Sequence, residues 1–240
     1  MFKRKHHQVI EQVLRLLNAD LLRERRCYFG GGTAIALRFG EYRESVDIDL
    51  MLSDLASYRV LRNLVRDAGS VMPLFKESTT LISQLRETRA DQYGIRTTLG
   101  IGQDTIKFEI VLEGRIEFDT PAATDEVCNV STLSVIDLAA SKLLANSDRW
   151  ADEGAFNRDV IDLAMMKPTA QIFVSAYSKA EMAYGASIRQ DLEKAIGKLL
   201  EKPEWLEKCM RTMSMHDTPP ANMVSTLLAL RGVLKKLNGT

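Results

Sequence analysis

Gly31-Gly32-Thr33, followed by Arg43-Glu44-Ser45-Val46-Asp47-Ile48-Asp49-Leu50, sets a glycine turn ahead of two carboxylates spaced one residue apart. In a strand, residues i and i+2 point to one face. The spacing therefore predicts Asp47 and Asp49 side by side, with Val46, Ile48 and Leu50 turned to the core. Two neighbouring anions repel, and a divalent cation relieves the repulsion; an all-oxygen pair suits Mg²⁺ or Mn²⁺ shared with a substrate phosphate. Tyr28-Phe29-Gly30 closes a short apolar run, and Thr33 to Phe39 has helix-forming character. The glycines thus fall at a strand-to-helix turn, where backbone amides approach a phosphate closely. Each half has a plainer reading, a tight turn for the glycines and a solvated edge-strand face for the aspartates. Together, within fifteen residues from Gly32 to Asp47, they point to phosphate chemistry. The stretch lacks the Gly-Lys-Ser/Thr of a P-loop and the spaced glycines of a dinucleotide fold, so neither of those sites is supported.

Working outward, Val9, Ile10, Val13, Leu14, Leu16, Leu17, Leu21 and Leu22 recur at helical spacing and predict an amphipathic helix. A strand at Cys27 to Phe29, a helix from Thr33 to Phe39 and the carboxylate strand Val46 to Leu52 follow. Ser53-Asp54 caps a further helix to about Ala68. After Pro73 the pattern turns to β character near Thr79 to Leu85, Gly94 to Leu99 and Thr105 to Leu112. In the last run Ile106, Phe108 and Ile110 share one face and Lys107, Glu109 and Val111 the other. Glu109 becomes the natural third carboxylate; an exposed acid on an alternating strand is the plainer reading, and Glu113 and Glu117 compete less well. From Leu133 the chain reads helical, broken at Pro168, Pro203 and Pro219-Pro220. Helices are expected over Ser178 to Leu200, Glu204 to Met213 and Pro220 to Leu237, with Met210, Met213, Met215 and Met223 filling the core.

A chain of 240 residues with 45% hydrophobic and 27% charged residues has ample material for a core, which argues against disorder. Net charge is zero, so there is no global electrostatic case for nucleic-acid binding. Locally, Lys3, Arg4, Lys5, Arg15, Arg23, Arg25, Arg26, Arg38 and Arg43 outnumber Glu11, Asp20, Glu24 and Glu41, as either a solvated helix face or an RNA-facing patch. The cysteines, Cys27, Cys128 and Cys209, have no paired metal spacing, and there is no signal peptide or membrane-spanning run, which reads as a cytoplasmic protein. His6, His7 and His216 make no zinc pattern, and His6-His7 is expected to be exposed at a helix start.

The Gly-Gly-Thr-Ala and Arg-x-Ser-x-Asp-Ile-Asp-Leu stretches resemble the signature of the AbiEii/AbiGii-type nucleotidyltransferase toxins, a branch of the DNA polymerase β-like superfamily that includes the MenT toxins. Asp137-Leu-Ala-Ala-Ser-Lys142-Leu-Leu-Ala145 resembles the family's helical lysine motif, and Arg158-Asp159-Val-Ile-Asp162-Leu163 its Arg-Asp-x-x-Asp-Leu motif, in the expected order. The resemblance implies an α+β fold: a polymerase β-like lobe over residues 1–130, with a mixed sheet and flanking helices, and a helical lobe over 131–240. It implies a three-acid metal site for Mg²⁺ or Mn²⁺ at Asp47, Asp49 and Glu109. Gly31, Gly32 and Thr33 would cradle phosphates, Ser45 would hydrogen-bond one, and Arg43 would supply charge beside it.

Lys142 has its stem flanked by Leu138, Leu143 and Leu144, which suits either snorkelling to solvent or an ammonium reaching a cleft. The resemblance selects a triphosphate contact. Asp159 and Asp162 share a helical face, and Arg158 can pair with Asp162 at i+4. One acid would orient Lys142 or Arg149 and the other reach the nucleotide; a structural ion-pair network fits as well. The activity implied is transfer of a nucleoside monophosphate from an NTP to RNA, at the 3′ end of tRNA, with a cognate antitoxin encoded nearby. A small-molecule or protein hydroxyl as acceptor, or a non-catalytic NTP-binding module, are the alternative readings.

Overall fold

The computed structural model describes residues 2–76 and 80–237. They form two units, Met1–Arg38 with Ser45–Ser134, and Phe39–Glu44 with Val135–Thr240. Phe39–Glu44 belongs with the helical unit although it sits between two stretches of the other. Such an excursion carries no compositional mark.

In the first unit the amphipathic N-terminus is two helices, not one: α1 (Lys5–Leu16) and α2 (Ala19–Glu24). The Asn18 side chain accepts the Leu21 N–H at 3.1 Å, an N-cap that restarts the helix where hydrophobic periodicity alone runs on. Strand β1 (Tyr28–Phe29) leads into α3 (Gly31–Arg38), then β2 (Ile48–Leu52) and α4 (Leu55–Ala68). Asp54 caps α4 through the Ser57 N–H at 2.6 Å, and Gly69 closes it in the left-handed conformation. Strands β3 (Ile82–Gln84), β4 (Arg89–Ala90), β5 (Gly94–Ile101) and β6 (Asp104–Leu112) follow, then a small hairpin of β7 (Glu126–Val127) and β8 (Val130–Ser131). Thr79, the expected start of the first of these strands, lies outside the described residues.

The main sheet runs β1-β2-β6-β5-β3, with β4 also paired to β5. It is mixed, because β2 and β6 are parallel while the other pairings are antiparallel. Ile48, Leu50 and Leu52 on β2 and Ile106, Phe108 and Ile110 on β6 are fully buried on one face. Each such side chain contributes about 1.5–3 kcal/mol on burial, which fixes the register: a slip of one residue would turn the whole set to solvent. The other face is left to the polar residues of the same strands.

The second unit holds α5 (Val135–Arg149), α6 (Arg158–Met165), α7 (Ala170–Tyr184), α8 (Ser187–Glu201), α9 (Pro203–Thr212) and α10 (Pro220–Lys236). The single helix expected over Ser178 to Leu200 is divided at Gly185, whose φ of +61° ends α7. Pro203 and Pro220 stand at the first positions of α9 and α10, where a missing N–H costs nothing. Met210, Met213, Met215 and Met223 are buried. Among the described residues no helix is long and apolar enough to cross a membrane.

Candidate active site

The turn between β1 and α3 is built around the second aspartate. Gly30 N–H donates to the Asp49 carbonyl at 2.8 Å, which carries the β1–β2 pairing one residue further. Gly31 then takes φ +67°, and a Cβ there would collide with the Asp49 carboxylate. Only glycine meets both conditions. The carboxylate therefore lies against the start of α3, where the N–H groups of the first turn have no intrahelical acceptor. Gly31 and Gly32 thus open the helix, which begins two residues before the expected Thr33.

Thr33 and Ser45 are joined through their hydroxyls at 2.8 Å. Ser45 N–H in turn donates to His7 Nε2 at 3.2 Å. His7 is fully buried, contrary to the expected exposed position, while His6 is only part-buried. The accepting Nε2 puts the proton of a neutral ring on Nδ1. No motif rule predicts a histidine holding a backbone amide 38 residues away; the one sequence signal was its place on the apolar stripe of α1, one turn from Ile10 and two from Leu14.

Asp47 lies in the approach to β2, since the strand begins at Ile48. Val46 is accordingly 41% exposed and does not face the core as strand alternation predicted. The parallel register pairs Asp49 with Glu109, so the two stand beside each other on one face. Across the antiparallel pairing Arg96 is opposite Glu109 and Thr98 opposite Lys107. The Glu109 carboxylate receives Lys107 Nζ at 2.7 Å and Arg96 Nε at 3.3 Å. Burial pulls the Lys107 pKa down, but the bond to Glu109 and the charges of Glu109, Asp47 and Asp49 outweigh it and leave the ammonium above its ordinary value. Glu113 is buried against Arg115 at 2.7 Å and Glu117 is exposed, so neither joins this face.

The donor set suits a hard divalent cation: carboxylate oxygens on one sheet face, whose mutual repulsion already draws in an ammonium. Among the described residues no three His, Cys, Asp or Glu side chains converge as a preformed cage. Lys107 and Arg96 hold Glu109, and a metal would compete with them for it.

The helical unit contains the other two motifs. Asp159 accepts from Lys142 Nζ at 3.0 Å and from Arg149 Nε and Nη2 at 2.6 and 2.9 Å. Asp162 accepts from Arg43 Nε and Nη2 at 2.7 and 3.0 Å and from the Tyr42 O–H at 2.6 Å, with Lys142 Nζ at 2.7 Å. Lys142 thus bridges the two acids. Burial pushes Asp159 up, but the charge of Lys142 and the bonds from Arg149 overcome it and hold the carboxyl well below its usual range. Asp162 is lowered in the same way, burial being outweighed by Arg43 and Lys142. Burial and the Asp162 charge together raise Tyr42 well above a free phenol.

The partners of Arg43 and Asp162 differ from those read in the sequence. Arg43, expected to supply charge beside a phosphate, makes a bidentate pair with Asp162 within the helical unit. Arg158 is exposed, and the partners of Asp162 come from residues distant in sequence instead of from i−4. Of the basic residues at the N-terminus, Arg15 pairs with Glu11, Arg23 with Asp20 and Arg25 with Glu24 within the same stretch, and Arg38 pairs with the distant Asp125.

An α+β fold whose mixed sheet carries paired carboxylates beside a glycine turn is that of a nucleotidyltransferase. A family model described as "Nucleotidyl transferase AbiEii toxin, Type IV TA system" matches residues 15–222, and the chain belongs to that family. It is thus a nucleotidyltransferase toxin of a toxin–antitoxin system. Two solved structures from Helicobacter pylori are similar over almost their whole lengths. One is described as a "putative nucleotidyltransferase" (15% identity, 98% of this chain and 95% of that one, TM-score 0.55). The other is the JHP933 protein (14% identity, 100% and 96%, TM-score 0.55). At these identities the likeness concerns the fold. No curated protein sequence matches the chain.

Proposed function

We propose that the chain transfers a nucleoside monophosphate from an NTP to the 3′ end of an RNA acceptor, a tRNA. The observation that supports nucleotidyl transfer is the registered pair Asp49 and Glu109 beside the Gly31 turn, with Asp47 two residues before Asp49, while the tRNA acceptor rests on the family resemblance. An acceptor hydroxyl attacks the α-phosphorus, the bond to the β-phosphate oxygen breaks, and pyrophosphate leaves. Mg²⁺ or Mn²⁺ held by Asp47 and Asp49, with Glu109 as a third ligand, would neutralise phosphate charge and make the hydroxyl easier to deprotonate.

The backbone N–H groups of Gly31, Gly32 and Thr33 bind phosphate oxygens at the positive end of α3. The Thr33 and Ser45 hydroxyls, which share one hydrogen bond, turn to a phosphate when one arrives, and His7 keeps the Ser45 backbone in place. Lys142 is assigned to the triphosphate on the motif resemblance, with Asp159 as the residue that orients it; their direct ion pair supports the orienting role. Arg43 and Asp162 serve the same network.

The test is incubation of the purified protein with each labelled NTP, Mg²⁺ or Mn²⁺, and total tRNA. Label should appear at the tRNA 3′ end and disappear with Asp47→Asn or Asp49→Asn. Label on a small molecule or protein instead would replace the acceptor, and transfer surviving in both variants would remove the metal assignment.

A further inference from the structure

The polar face of the sheet continues beyond the carboxylates and changes sign. Thr105 and Lys107 extend it along β6, Arg96 and Thr98 along β5, and Arg89 is registered opposite Arg96 on β4. With Arg86 from the β3–β4 connection these residues line a cleft of 700 Å³ that also takes in Asp47 and Glu109. Asp47 and Glu109 lie in its acidic part, while Arg86, Arg89 and Arg96 outnumber Glu87 among the other residues that line it.

The cations are not equally occupied. Lys107 and Arg96 answer Glu109, and Arg96 also meets Asp91 at 3.2 Å. Arg86 and Arg89 are exposed and, among the described residues, enter no ion pair. Their placement is nonetheless fixed. The Thr97 hydroxyl donates to the Arg86 carbonyl at 2.7 Å, Thr88 Oγ1 to Gln84 Oε1 at 3.0 Å, and Arg89 is held in the β4–β5 ladder. Two solvated guanidinium groups presented from an anchored connection, on the face that bears the carboxylates, are open to an anionic partner from outside the chain.

Arginine forks match phosphate oxygens bidentately, and threonine hydroxyls donate to phosphate and sugar. A strand that brings its terminal hydroxyl to the carboxylates must lead its remaining phosphates away from them. Along this sheet that direction runs to Arg96, Arg89 and Arg86. A neutral small acceptor would leave these cations unused.

We propose that this cleft is the acceptor groove: it holds the phosphodiester backbone of a single-stranded nucleic acid whose 3′ end lies at Asp47 and Asp49, with Arg86 and Arg89 as phosphate contacts. It rests on the nucleic-acid acceptor read above. Because the groove is local, it is compatible with a chain of zero net charge.

The experiment compares the wild type with an Arg86→Glu/Arg89→Glu double variant, in binding of fluorescein-labelled single-stranded RNA and DNA of one sequence across a salt series. Both side chains are exposed, and equal melting temperatures establish that the variant folds. The variant should bind RNA about tenfold or more weakly at low salt. Its slope of log Kd against log salt should be shallower by about 0.7 for each lost phosphate contact. Equal losses on RNA and DNA are expected of a backbone groove; a loss on RNA alone keeps the groove and adds contacts to the 2′-hydroxyl. Unchanged affinity and slope in the variant, or a wild type that binds neither strand, overturns the groove. A parallel measurement of the NTP-induced rise in melting temperature with Mn²⁺ separates this from the catalytic reading: that rise should persist in the variant, and its absence in the wild type would count against the NTP site while strand binding still decides the groove.

Discussion

On the sheet, Asp49 and Glu109 share a partly solvated face with Lys107, which is 54% exposed, and Asp47 lies at the approach to it; in the helical unit, Asp159 and Asp162 are almost wholly buried among Lys142, Arg149 and Arg43. Both regions join acids to cations, yet the physical terms differ. Charges removed from water must be matched in the folded state, since each unpaired one costs several kcal/mol, and the helical cluster is matched to the last oxygen. Charges on an open face can stay under-compensated because water screens them, and that leaves them free to exchange partners for a ligand. Acids that look alike in the sequence are therefore expected to respond in opposite ways to the same substitution.

The sharpest break comes from parallel Asp→Asn changes. Asp49→Asn should reduce transfer by about 10³-fold or more, because it removes a metal ligand, and should change stability less than the buried substitution does, because water screens the charges on the sheet face. Asp162→Asn should instead destabilise the fold by about 3–5 kcal/mol, leaving Arg43 and Lys142 buried beside a neutral group. Chemical denaturation and label transfer measured on both proteins decide it; a stable, active Asp162→Asn protein would dissolve the contrast.

Lys142 tests whether the helical cluster only packs or also binds. Lys142→Ala should lower stability and raise the NTP concentration needed for half-maximal transfer, with Asp159→Ala acting in the same direction and the double variant losing less than the sum. Normal NTP dependence in the folded fraction of Lys142→Ala would confine this lysine to packing.

Within the first unit, Glu109→Gln should weaken metal-dependent transfer more than Glu113→Gln, since Glu109 is registered with Asp49 and Glu113 is committed to Arg115. A Mn²⁺ titration of transfer in both variants measures the difference, and equal apparent affinities would move the third ligand elsewhere.

The smallest effect is the response to acid. Asp159 and Asp162 have folded-state values below the 3.8 of an unfolded aspartate. Their stabilisation is complete above that pH and is lost as the pH falls below it, when the unfolded chain takes up protons that the folded chain resists. Urea midpoints should therefore drop on going from about pH 5 to about pH 3, less steeply in Asp162→Asn than in the wild type.

Features that depend on neighbours along the chain are readable from the residues alone. The alternation of Ile106, Phe108 and Ile110 with Lys107 and Glu109, the Asp54 cap, and the glycines ahead of Asp47 and Asp49 are local patterns. Strand pleat, helix capping and backbone freedom translate them directly into structure. The three motifs were legible in the same way and carried the family with them. Tertiary structure alone decided what the charged residues touch. Asp162 is bound by Tyr42 and Arg43, about 120 positions earlier, because Phe39–Glu44 joins the helical unit, and no spacing rule spans that distance. His7 meets Ser45 across 38 positions within the first unit, and Arg89 reaches the carboxylate face only because β4 pairs with β5. Hydrogen bonds and ion pairs act over a few ångströms, so their partners are fixed by where the hydrophobic core folds the chain back upon itself.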